Sequence, residues 1–208
     1  VDFDTIPQLV QRLIARYAGT GKAALGYKDR KTKAWTDVTW DELAEQVRAF
    51  AGFLHARGVR PGDRVALLSE NRPEWAVTDL ATQLLGAVNV ALYTTLPASQ
   101  VAYIVKDSGA KWLVVSTGLQ LRKADGLHDD CPALDGVVSM AEPRKEHPQT
   151  VTWEAAMAEG AAHYAAHRAE IDALADAVAA GDLSALIYTS GTTGNPKGVM
   201  MTHRNFVS

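Results

Sequence analysis

The chain is 208 residues long, 47% hydrophobic and 22% charged, which supplies a substantial core and excludes disorder by composition. Its formal net charge of −3, with Lys and Arg interspersed among Asp and Glu, provides no basic stripe of the kind nucleic acid requires, so no nucleic-acid partner is expected. The longest apolar run, around Leu84 to Val88, is broken by Asn89 and falls far short of a membrane span.

Apolar residues at Ile6, Leu9, Val10, Leu13 and Ile14 have the spacing of an amphipathic helix over Ile6 to Tyr17. Two strands, Ala23 to Tyr27 and Ala34 to Val38, are expected around the polar turn Asp29-Arg30-Lys31. Thr39 and Glu42 form a capping-box pattern ahead of a helix with Leu43, Val47, Phe50, Ala51 and Leu54 on one face, ending at Gly58 with Pro61 beyond. Val65 to Leu68 reads as a short buried strand. Asn71 is then expected to cap a helix that has Pro73 in its first turn and Trp75, Leu80, Leu84 and Leu85 among its apolar residues. A strand at Val88 to Leu92, a helix from Pro97 to Lys106 and a strand at Trp112 to Val115 follow. Between Leu121 and Thr150, Asp125-Gly126, Cys131-Pro132, Glu142-Pro143 and His147-Pro148 predict a surface loop around one short strand, Gly136 to Ser139. The Ala-rich stretch from Thr152 to Ala180 predicts two helical segments, closed by Gly181 before a strand at Leu183 to Tyr188.

Strands separated by helices of this length imply crossover units, hence an α/β fold: a three-layer αβα architecture with a mostly parallel sheet covered on both faces. After the last strand comes Thr189-Ser190-Gly191-Thr192-Thr193-Gly194-Asn195-Pro196-Lys197-Gly198. Gly191, Gly194 and Gly198 let a ligand approach the main chain, so that successive N–H groups can point at phosphate oxygens. The hydroxyls of Thr189, Ser190, Thr192 and Thr193 and the ammonium of Lys197 complete a set of groups suited to a polyphosphate. Because the segment leaves a strand end, it should lie where open α/β sheets bind ligands. It is not the G-x-x-x-x-G-K-[ST] loop, since Pro196 and Gly198 flank the lysine where that pattern needs Gly and Ser or Thr. The plain alternative is a Gly/Thr hairpin between Ile187 and Val199.

Tyr188 through Gly198, continuing to Asn205, resembles the signature loop of the adenylate-forming (AMP-binding) superfamily, and in particular of its long-chain fatty acyl-CoA synthetases. Trp40-Asp41-Glu42-Leu43, Gly58 to Ala66, Ser69 to Trp75, Leu92-Tyr93-Thr94-Thr95-Leu96-Pro97 and Tyr103 to Ser108 are similar to further landmarks of that family in the same order. The resemblance covers roughly residues 5 to 208, loosely from 118 to 170. It implies that residues 1 to 208 are the incomplete N-terminal part of the large adenylate-forming domain. The rest of that domain and the small C-terminal domain would be absent, and the fragment by itself would be inactive. The complete enzyme would join a long-chain fatty acid to AMP and pass the acyl group to CoA, using ATP, Mg²⁺ and CoA.

By the same resemblance Lys197, the catalytic residue of this portion, would neutralise phosphate charge or anchor the loop. Ser190, Gly191, Thr192, Thr193 and Gly194 hold the β- and γ-phosphates, and Thr189 serves Mg²⁺-linked phosphate binding. Partners would be fatty acid, ATP and CoA, with room for peripheral association of the full-length enzyme with a membrane. Two other readings stay open. One is another adenylate-forming enzyme, such as an aryl-CoA ligase or a peptide-synthetase adenylation domain, which ordinarily differs around residues 92 to 100. The other is a non-catalytic structural or interaction fragment.

Other residues attract less chemistry. The lone Cys131 forms no internal disulfide and suits a reducing compartment, and with no signal-peptide pattern at the N-terminus a cytoplasmic location is expected. His163 and His167, four apart on a helix, lack the glutamate of a zincin pattern and read as a solvated face. The five tryptophans read as packing residues. Lys106, Asp107 and Ser108 read as capping and surface, and His203 as a helix-start residue near the nucleotide site.

Overall fold

The computed structural model describes residues 3–29, 32–142, 149–189 and 195–207. Helix α1 (Ile6–Tyr17) is capped by the Thr5 hydroxyl and precedes an antiparallel pair, β1 (Ala23–Lys28) and β2 (Trp35–Thr39). In α2 (Trp40–Ala56) both halves of the expected capping box are present, Thr39 accepting from the Glu42 amide while Glu42 accepts from the Thr39 amide. That box stabilises the helix start by about 1 kcal/mol. Gly58 is left-handed (φ 81°), and the Gly58 and Val59 amides donate back to the His55 and Leu54 carbonyls, which ends α2 in a Schellman motif.

The main sheet is built from β3 (Arg64–Leu68), β4 (Val88–Leu92), β5 (Trp112–Val115), β6 (Gly136–Ser139), β7 (Thr150–Thr152), β8 (Leu183–Thr189) and β9 (Lys197–Thr202). Their spatial order is β7-β6-β5-β3-β4-β8-β9, with parallel pairing throughout except for the antiparallel edge strand β9. Side chains alternate between two cores, as a sheet covered on both faces requires. Val65, Leu67, Trp112 and Val114 pack under α2, α3 (Pro73–Leu84) and α7 (Trp153–Ala177). Ala66, Leu68, Leu113 and Val115 pack under α4 (Ala98–Ser108) and the short helices α5 (Gly118–Leu121) and α6 (Leu127–Asp130). A final turn, α8 (His203–Val207), follows β9. The three-layer αβα expectation therefore holds.

Four local expectations need correction. The N-cap of α3 is Arg72 and not Asn71: Pro73 at the first helical position forces Arg72 into extended backbone, and the Arg72 guanidinium makes a bidentate pair with Glu74 instead of a cap. The 121–150 stretch holds short helical pieces and the strand β7 besides β6, because Leu121, Ala124, Leu127 and Leu134 find core on the α4 side. The Ala-rich stretch is two helical segments as expected, joined at non-helical backbone at His167 (φ −120°, ψ 22°) within α7, but the second ends at Val178 without using Gly181.

The fourth correction concerns His163 and His167, which are not simply a solvated face. Helices α2 and α7 cross in backbone contact at Gly52 and Gly160, and one turn beyond the crossing His55 meets them. His55 Nδ1 is 3.0 Å from His163 Nε2, the His163 and His167 rings stack at 4.2 Å, and Glu170 approaches His55 Nε2 at 3.4 Å and His167 Nδ1 at 3.3 Å. His55 is 4% exposed, while His167 keeps its solvent contact. Sequence reasoning missed this because His55 lies 108 residues from its partner.

Burial holds the His55 imidazole below its usual range, with Arg60, His163 and His167 adding repulsion that Glu170 only partly offsets. Burial and the neighbouring His167 do the same to His163, against Glu170 and Glu159. A base whose folded pKa lies below its unfolded value of about 6.5 contributes stability that is present above that value and lost as pH falls through the folded one. The thermal unfolding midpoint is thus expected to drop between about pH 7 and pH 5, more steeply in the unaltered protein than in a His163→Gln variant. Equal slopes would remove this cluster from the account of acid sensitivity.

Candidate functional site

In a parallel sheet all carboxyl ends face one edge, and helices leaving adjacent strands on opposite faces open a crevice there. Here α3 leaves β3 toward one core and α4 leaves β4 toward the other, so the crevice lies outside the ends of β3 and β4. Three parts of the chain far apart in sequence meet at this edge: Ser69 to Arg72 after β3, Tyr93 to Pro97 after β4, and Thr189 and Lys197 at the adjoining ends of β8 and β9.

Two buried polar groups fix β8 against α3. Gln83 Nε2 donates to the Ser184 carbonyl at 3.1 Å and the Ser184 hydroxyl donates back to Gln83 Oε1 at 3.0 Å. Beside them the Asp79 carboxyl accepts from Asn89 Nδ2 at 2.7 Å, and burial pushes its pKa up. From β8 the chain turns back as β9, with Ile187 opposite Val199, Tyr188 opposite Gly198 and Thr189 opposite Lys197. The strands flanking the segment thus pair as a hairpin.

Thr189 and Lys197, both exposed, form the rung nearest the tip. Among the described residues no carboxylate pairs with Lys197, so its ammonium is available to an anion. Ser190, Gly191, Thr192, Thr193 and Gly194 lie outside the described residues. Among the described residues no group of three His, Cys, Asp or Glu side chains could hold a metal ion. A Mg²⁺ ion here fits only as one that keeps waters and phosphate oxygens as its main ligands, with the Thr189 hydroxyl as the protein's contribution.

The sequence reading assigned no roles along the rest of this edge, yet a polar network runs across it. The Ser116 hydroxyl donates to Glu70 Oε2, Gln120 Nε2 to Glu70 Oε1 at 3.1 Å and to the Thr94 carbonyl at 3.4 Å, and Lys123 to the same carbonyl at 2.7 Å. Arg72 adds a bond to the Ser116 carbonyl at 3.2 Å. These bonds lock the β3, β4 and β5 termini together. The visible signal was Ser69-Glu70-Asn71 following four buried apolar residues, a polar cluster at a strand end.

His203 starts α8 as expected, but its expected place near the nucleotide site is corrected. Because β9 runs antiparallel, six residues at about 3.3 Å each carry His203 to the opposite edge of the sheet from Lys197. There it is buried and accepts from the Ile6 amide on Nδ1 at 3.3 Å, and burial lowers its pKa. Its part is to tie α1 to α8, away from the hairpin tip. Ser108 is corrected too, being buried on the Val105 carbonyl, while Asp107 is exposed as expected and in addition accepts a bond from Tyr188. A groove of about 860 Å³ lies between the β1–β2 pair and the start of α3, lined by Tyr27, Trp35, Arg72, Glu74 and Trp153 among others, and no described residue of the hairpin lines it.

The profile of the AMP-binding enzyme family matches residues 14–208. The long-chain-fatty-acid–CoA ligase FadD15 of Mycobacterium tuberculosis (strain ATCC 25618 / H37Rv) is 39% identical over 173 residues, which cover 83% of this chain and 28% of the relative. The long-chain-fatty-acid–CoA ligase ACSBG1 of Rattus norvegicus is 34% identical over 203 residues, 97% of this chain and 27% of the relative. The chain therefore spans little more than a quarter of these relatives. Among solved structures, the anthranilate CoA ligase AuaEII in complex with anthranoyl-AMP superposes with a TM-score of 0.73 at 23% identity, over 96% of this chain and 35% of that one. The A-PCP didomain of carboxylic acid reductase from Segniliparus rugosus gives 0.74 at 20% identity, over 98% and 32%. These two share the fold. With a hydroxyl and lysine hairpin at the carboxyl edge of a mostly parallel sheet and the family profile running from residue 14 to the last, this chain belongs to the AMP-binding enzyme family.

Proposed function

We propose that the full-length protein is a long-chain fatty acid–CoA ligase that forms an acyl-adenylate from a fatty acid and ATP and then transfers the acyl group to CoA. The observation that carries this reading is the exposed Thr189–Lys197 rung at the carboxyl edge, in a chain 39% identical to a ligase named for long-chain acids. In the first step a carboxylate oxygen attacks the α-phosphorus and the bond to the bridging oxygen breaks, leaving pyrophosphate. Negative charge grows on that leaving group, so a cation placed beside it stabilises the transition state more than the ground state. Lys197 supplies the cation, and Thr189 offers its hydroxyl oxygen to phosphate-bound Mg²⁺. Ser190, Thr192 and Thr193, with the amides of Gly191 and Gly194, are proposed for the β- and γ-phosphates. In the second step the CoA sulfur attacks the acyl carbonyl and AMP leaves. A cytoplasmic setting is proposed with it, supported by the buried, unpaired thiol of Cys131.

The substrate class is tested by initial rates with acetate, octanoate, palmitate, benzoate and 4-coumarate at fixed ATP and CoA. Each buried methylene contributes up to about 0.8 kcal/mol, so even half of that over several carbons exceeds the roughly 2.7 kcal/mol needed for a 100-fold preference. Acids of about 12 to 18 carbons are expected to exceed acetate and benzoate by at least about 100-fold in kcat/KM. Preference for either aromatic acid refutes the long-chain assignment and leaves adenylate formation intact.

A further inference from the structure

We propose that Asp107 is a positioning residue for the phosphate-facing hairpin, acting through the hydroxyl of Tyr188. The inference rests on the adenylating role given above to Thr189 and Lys197. The last rung that ties β8 to β4 is Ala91 opposite Ile187, whereas β8 and β9 continue pairing through Tyr188–Gly198 to Thr189–Lys197. The end of the hairpin therefore projects beyond the sheet as a two-stranded ribbon, and such ribbons are marginal without support from another element.

Tyr188 provides that support. It is 7% exposed, packs with Val101, Ile104 and Val105 of α4, and donates its hydroxyl to Asp107 Oδ2 at 2.7 Å. Opposite it, Gly198 has no side chain, and a Cβ there would lie 3.1 Å from Tyr188 Cζ. One ring thus lies across both strands and fixes the rung that adjoins Thr189 and Lys197. Burial and the Asp107 carboxylate push the Tyr188 hydroxyl well above its ordinary range, so it remains a donor.

Asp107 also sits where helix physics disfavours it. It lies in the last turn of α4, next to the carbonyl-rich end, where an acidic side chain is disfavoured and a basic one is preferred. A residue that breaks a local rule while making a specific contact 81 positions away points to a tertiary purpose.

The test uses the full-length enzyme with Asp107→Ala, Asp107→Asn, Tyr188→Phe and the Asp107→Ala/Tyr188→Phe double variant. ATP–pyrophosphate exchange, thioester formation from preformed acyl-adenylate and the thermal midpoint are measured for each. Asp107→Ala and Tyr188→Phe are each expected to raise KM for ATP in exchange by about 5- to 10-fold, with the double variant no worse than either single one. Asp107→Asn, which keeps an acceptor oxygen, should restore most of the loss, and the thioester step should stay within about 2-fold throughout. The inference is overturned if the two effects add, if both half-reactions fall together, or if only the thermal midpoint moves. If exchange by the unaltered enzyme disappears on Lys197→Ala but ignores every Asp107 and Tyr188 change, the inference fails alone. Absence of exchange by the unaltered enzyme overturns the adenylating reading and this inference with it.

Discussion

Replacing Lys197 by alanine in the full-length enzyme is expected to slow adenylate formation by roughly 10- to 1000-fold, the range found when a group facing developing oxyanion charge is removed. Lys197 pairs with Thr189 in the strand register and is exposed, and no carboxylate among the described residues neutralises its charge. Its effect should be concentrated in the step that releases pyrophosphate, because charge on the β- and γ-phosphates grows only there. Thioester formation from preformed acyl-adenylate should change far less. Thr189→Val in the same assays should raise the Mg²⁺ concentration needed for half-maximal exchange. A Lys197→Ala enzyme with unchanged thermal midpoint and an equal loss in both half-reactions would end the phosphate role for this residue.

The second large effect is on stability. Gly160→Ala is expected to destabilise the protein by roughly 3 kcal/mol or more, at the upper end of overpacking costs, although helix propensity taken alone favours alanine by about 1 kcal/mol. An added Cβ at Gly160 would overlap the Ala49 carbonyl oxygen and stand 2.6 Å from the Phe53 nitrogen, both backbone atoms that cannot rotate away. To make room, α7 must lift off α2. That separation opens the aromatic cluster beneath, where Phe50 stacks on Trp153 at 4.6 Å and Phe53 meets Trp112 edge-on at 5.2 Å. Thermal unfolding, with Gly118→Ala as a control at a position that has no atom within 4 Å, gives the comparison. A midpoint for Gly160→Ala equal to or above that of the unaltered protein would show that the crossing relaxes at little cost.

The helices were legible where their signals are short-range. Thr39 and Glu42 are three residues apart, and the hydrogen bonds they exchange in the structure are the ones their spacing implies. Gly58 ends its helix through bonds that span no more than five residues. The unbroken apolar run Val65 to Leu68 was legible in the same way, since four apolar residues in succession imply a strand buried on both faces. The phosphate role proposed for the hairpin likewise draws on a local run, since glycines, hydroxyls and a lysine need no partner elsewhere to suggest one.

What the spacing of residues could not reveal is which distant groups meet. Nothing near His55 marks it as the neighbour of His163, and nothing near Gly160 distinguishes a weak helix position from a contact surface. Asp107 is the surface residue its position suggests, but its Tyr188 partner emerges only once strand order brings β8 alongside β4, with α4 over that face. Local propensity and capping act over a few residues and leave their pattern in the chain. Strand order, helix crossing and the joining of Glu70, Ser116 and Gln120 arise only when separate elements bury their apolar faces against one another, and that packing decides where the polar side chains at their ends come to rest.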